Sequence, residues 1–186
     1  MKCTCAAALA LCLIGVQPMA AGGEQDSTKM ATQRPADEVL LRQIGTWQAT
    51  VTVFEHPGHP GRSYSGITTN KLGCGGRCLV SEYNSQANGQ PFEGHGLIAF
   101  DQGKQKYIET WTDGMSAGLS TTEYTYNTAA RTFTGTMTTS TASGQPIYMK
   151  VSGDYKSPNQ RVVTLTRTIG GQEQVIIQCA MVLISQ

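Results

Sequence analysis

The chain has 186 residues, a net charge of +1 and 15% charged residues, below the ~25% usual for soluble domains. A domain of roughly 150 residues buries about 70% of its unfolded surface, so folding requires neither a metal nor an oligomer. No basic run or stripe occurs, which argues against nucleic acid as a partner, and the 21 glycines with a threonine-rich centre argue against a helical fold.

Residues 1–21 read as a secretion signal. Lys2 supplies a positive start, Cys3 to Val16 is apolar, and small residues surround Ala20 and Ala21. The apolar run is shorter than the ~20 residues of a membrane span. Cleavage is expected between Ala20 and Gly22, and a periplasmic or secreted protein follows. A lipid anchor on Cys12 is disfavoured, because Leu11 stands where a small residue is wanted. Cys3, Cys5 and Cys12 leave with the signal, so Cys74, Cys78 and Cys179 remain in an oxidising compartment, and three cysteines cannot all pair within one molecule.

Residues 22–35 have no apolar period and are expected to form a disordered linker. A barrel domain is expected over 36–186. Pro35 suits a first helical turn, and Asp37 and Glu38 suit the positive end of a helix. Leu40, Leu41 and Ile44 then share one helical face, and Gly45 is expected to end the helix.

After Gly45 the period becomes two. Trp47, Ala49, Val51 and Val53 alternate with Gln48, Thr50 and Thr52, as in a half-buried strand. The loop from Glu55 to Gly61 stops it. Further strands are expected at Ser63–Leu72, Cys78–Ser85, Phe92–Asp101, Lys104–Thr112, Leu119–Tyr126, Arg131–Thr139, Pro146–Tyr155, Arg161–Thr168 and Gln174–Ile184. Turn residues such as Asn88-Gly89 and Gly170-Gly171 separate them. The fold class that follows is all-β, an antiparallel up-and-down barrel of about ten strands with one short N-terminal helix. A β-sandwich is the alternative. Gly45-Thr46-Trp47 after a short helix is how a lipocalin-like barrel begins, and Gly45 and Trp47 are assigned to a structural plug at its base.

Several segments resemble one bacterial family. They are Ile44-Gly45-Thr46-Trp47, Leu72-Gly73-Cys74-Gly75-Gly76-Arg77, and Gly89 to Gly96. Phe100-Asp101 with Lys104, Lys106 and Tyr107, and Trp111 to Met115, complete the set. In order and spacing they are similar to domain-of-unknown-function family 1579, whose members look like calycin or lipocalin-type barrels. The resemblance implies a fold but no activity and no catalytic residues. The C-terminus departs from the family's Tyr and Arg ending. If that arginine normally packs on the barrel tryptophan, Arg167 is the candidate substitute.

Tyr107, Glu109, Trp111 and Asp113 share one face of a strand and are the candidate cavity wall. Facing inward, they would suit an amphipathic molecule, and Glu109 would need a cation or water. The alternative turns Ile108, Thr110 and Thr112 inward. Glu109 and Asp113 are no glycosidase pair: four residues of strand span roughly 13 Å, beyond the ~5–9.5 Å that chemistry uses. His56 and His59 flank a Pro-Gly turn, and His95 lies between glycines; metal or haem ligation by these is the weaker reading beside rigid turns. Cys74 and Cys78 bracket a hairpin turn and can bridge it, a pairing with Cys179 or no bridge being the other outcomes.

The function expected is an exported barrel that binds a small amphipathic or hydrophobic ligand, with no catalytic residue, metal or cofactor assigned. The alternatives are an envelope interaction module with a filled barrel and a metal- or haem-binding protein.

Overall fold

A computed structural model describes residues 35–56, 59–116 and 118–186. The signal and linker expected over 1–35 lie outside these residues, apart from Pro35. Helix α1 (Pro35–Leu41) is followed by ten strands: β1 (Gly45–Val53), β2 (Arg62–Gly73), β3 (Cys78–Ala87), β4 (Gln90–Asp101) and β5 (Lys106–Asp113), then β6 (Ser120–Asn127), β7 (Thr132–Ser140), β8 (Pro146–Ser157), β9 (Gln160–Ile169) and β10 (Gln172–Ser185). Each strand pairs antiparallel with its chain neighbour, and β1 pairs with β10 through Trp47 and Leu183, so the sheet closes into a barrel. Closure leaves no free edge. No helix among the described residues is long and apolar enough to cross a membrane.

The strand series matches the period-two reading within one or two residues at most ends. The β3–β4 hairpin shows why. Asn88 and Gly89 both have positive φ, 54° and 76°, which a two-residue turn matched to strand twist requires.

The helix departs from expectation at two points. It ends at Leu41, and Gly45 instead opens β1 with φ 114°. A side chain there would sit 2.5 Å from the Ser185 carbonyl oxygen, so the strand junction, not a helix cap, demands glycine. The buried helical pair is Val39 and Leu40, packed with Leu79, Ile98, Tyr107 and Tyr124, whereas Leu41 is exposed. So short a helix buries the adjacent Val39 and Leu40 rather than a long stripe.

Cys74 and Cys78 form a disulfide with Cα atoms 5.5 Å apart, spanning the turn from β2 to β3. Cys179 is a free thiol on β10.

Candidate functional site

The base of the barrel is a polar knot around Gln43. Its carbonyl oxygen accepts the Trp47 indole N–H at 3.0 Å and the Asn70 amide at 2.8 Å. Its side-chain amide donates to the Val39 carbonyl, and its Oε1 accepts from Arg161 Nη1 at 2.6 Å. Arg161 Nε donates to the Met181 sulfur at 3.0 Å, and the guanidinium lies over the Trp47 ring. Trp47 is fully buried and Arg161 is 7% exposed. The arginine on the barrel tryptophan is therefore Arg161, and Arg167 is exposed further along β9.

Above this base lies a cavity of about 660 Å³ that reaches the loops following β1, β3 and β5. Alternation dictates its wall. Val51 and Val53 of β1, Val163 and Leu165 of β9, and Ile177 and Met181 of β10 point in. Of the four residues expected to form the wall on β5, Glu109, Trp111 and Asp113 line the cavity. Tyr107 does not: it is buried one turn of the pleat deeper, stacked on Tyr124 with ring centres 5.2 Å apart, and belongs to the core.

Trp111 and Asp113 form one unit. The Asp113 carboxylate accepts from Trp111 Nε1 at 2.9 Å, the Met115 N–H at 2.9 Å, the Ser116 N–H at 2.7 Å and the Ser116 hydroxyl at 2.7 Å. Burial pushes this carboxyl up, but the bonds from Ser116, Trp111 and Met115 outweigh it and hold the pKa below its ordinary value. Asp113 thus fixes the indole and the start of the β5–β6 loop. Gly94 completes the seat: a Cβ there would lie 2.2 Å from Trp111 Cζ2.

Glu109 differs. It lies in register between Ile98 of β4 and Thr122 of β6 and faces the cavity. Among the described residues it makes no hydrogen bond and no ion pair. Burial raises its pKa, and the charge of Arg161 opposes that shift only in part. Burial raises Tyr124 and Tyr155 as well. Cys179 also lines the cavity, and burial pushes its thiol up to about 11.

The histidines stay apart from this interior. His95 is on the outer wall, with Nε2 2.8 Å from Glu93 Oε1. The His56 and His59 rings meet edge to face, 6.0 Å apart, in the loop after β1. No three metal-ligating side chains cluster among the described residues.

Sequence reasoning missed Gln43, Asn70 and Arg161. The alternation that places Val163 and Leu165 inward also places Arg161 inward, so that signal was present. Nothing local marks Gln43, whose partner is 118 residues away.

Two solved structures share the architecture. Rv2717c from M. tuberculosis superposes with a TM-score of 0.58 at 15% identity, over 81% of this chain and 98% of that one. The S-type phycobiliprotein lyase CPES from Guillardia theta gives 0.55 at 8% identity, over 81% and 93%. No curated protein matches the sequence. The family model described as "Protein of unknown function (DUF1579)" matches residues 32–181, and the chain belongs to that family.

Proposed function

We propose that this protein is an exported carrier that holds a small amphipathic or hydrophobic molecule inside its barrel, without catalysis. The observation that carries this reading is the cavity of about 660 Å³, within the ~300–1,000 Å³ typical of small-molecule sites. Its walls are mostly aliphatic and aromatic, so apolar area supplies affinity and a few polar groups set orientation. Trp111, held by Asp113, and Glu109 are assigned to ligand contact, and Gly45 and Trp47 to the base. A filled-barrel interaction module would lack such a space. The Cys74–Cys78 bridge favours an oxidising compartment and therefore export.

Binding of the fluorescent hydrophobe N-phenyl-1-naphthylamine tests this reading. Wild-type protein should enhance its emission, and a folded Val163→Trp variant, with an indole placed in the cavity, should not. Equal enhancement by both, or none by wild type, overturns the reading.

A further inference from the structure

We propose that Glu109 reads the polar head of the bound molecule, and that this head is a protonated amine on an apolar body. The assignment rests on the cavity reading above and adds the class of ligand.

The argument is one of free capacity. Five acidic or basic side chains line the cavity: Glu55 and Arg62 are solvent-exposed, whereas Glu109, Asp113 and Arg161 are wholly or partly buried. Asp113 already accepts four hydrogen bonds from Trp111, Met115 and Ser116. Arg161 is engaged by Gln43, by the Met181 sulfur and by the face of Trp47. An anionic head at Arg161 would have to share its donors with Gln43, Met181 and Tyr155. Glu109 has neither hydrogen bond nor ion pair among the described residues, and it projects into the open space. A carboxylate is an acceptor-only group with about four lone-pair sites. Enclosed among Ile98, Thr122 and Tyr124, it gains most from a cationic donor, because a charge-assisted bond in a low-dielectric site is worth more than a neutral one. The apolar residues between Glu109 and the mouth, Val53, Phe92 and Ile177 among them, would then enclose the aliphatic or aromatic body.

Arg161 also sets the limit on the ligand. Its charge sits below Glu109 and does not touch it, so a second positive centre deep in the cavity would be repelled. One amine at one end of the molecule fits this arrangement, whereas a diamine with both charges inside does not.

The test compares dodecylamine, dodecanol and dodecanoic acid by calorimetry at neutral pH, below micelle formation, on the full protein. The amine should bind about tenfold more tightly than either other probe. In Glu109→Gln that margin should vanish. Equal affinities of the wild type for amine and alcohol, tighter binding of the acid, or an unchanged margin in Glu109→Gln each overturn the assignment and leave the cavity reading standing. Failure of all three probes to bind overturns the cavity reading itself. The ranking in wild-type protein decides the matter even where the variant folds poorly.

Discussion

The guanidinium carbon of Arg161 lies 4.7 Å from the centre of the Trp47 ring at the base of the barrel. This contact joins β9 to β1 across the interior, and through Gln43 it ties both to the segment after α1. It lies at one end of the barrel, and the cavity reaches the loops at the other.

Arg161→Ala should therefore act on stability. It removes a desolvated cation–π contact worth about 2 kcal/mol and leaves the Gln43 Oε1 without its donor, a further 1–3 kcal/mol or so. The expected loss is about 3–5 kcal/mol, seen as a Tm lower by roughly 6–20 °C. Arg161→Lys should recover only part of it, since an ammonium cannot both stack and donate in the same plane. A Tm unchanged in Arg161→Ala would mean the base is held without this residue.

Glu109→Gln should raise stability at mildly alkaline pH. The groups facing Glu109 are Arg161 of β9, Tyr124 of β6, Tyr155 of β8 and Cys179 of β10. Burial, against the opposing charge of Arg161, sets its pKa above the unfolded value. The native state thus holds this proton more tightly than the unfolded chain. That contribution is full below the unfolded pKa of about 4.3 and is lost as pH rises through the folded pKa. The variant should exceed wild type by about 1 kcal/mol at pH near 8 and converge with it in acid, as read by denaturant midpoints without added ligand.

Gly94→Ala should disturb Trp111 directly, because the new methyl would overlap the indole. Overpacking of this kind costs about 1–3 kcal/mol. The chain has two tryptophans and Trp47 is fully buried, so a change in tryptophan emission would report Trp111. Unchanged emission and Tm would show that the pocket wall yields freely.

Cys179 should resist alkylation. Its thiol pKa of about 11 leaves little thiolate near neutrality, and the residue lies inside the barrel. Iodoacetamide should label it slowly in native protein and rapidly in denaturant, as followed by intact mass. Fast labelling of folded protein would contradict the enclosed geometry.

Much of the architecture was legible in the sequence because strand period and turn chemistry are local. Asn88-Gly89 announced its hairpin, and Trp47, Ala49, Val51 and Val53 announced an apolar inner face. The disulfide between Cys74 and Cys78 was one of several open pairings, and the turn geometry decides it. What was not legible depends on position along the barrel axis. Arg161 and Arg167 have the same parity on β9, so alternation cannot separate them. Only the register, with Met181 opposite Arg161, sets Arg161 at the base. Tyr107 fails as a wall residue for the same reason: it shares a face with Glu109 but lies at core depth. The helix face was right at Leu40 and Ile44 and wrong at Leu41, because the seven-residue helix buries Val39 in its place.

Native mass spectrometry of the protein purified from its own host, without detergent or added lipid, tests the carrier function most directly. Retention of a small molecule that is released on unfolding, and that is missing from Val163→Trp, is the expected result. A wild-type protein that is ligand-free as isolated and shows no thermal shift across a panel of lipids, porphyrins and other hydrophobes would contradict it.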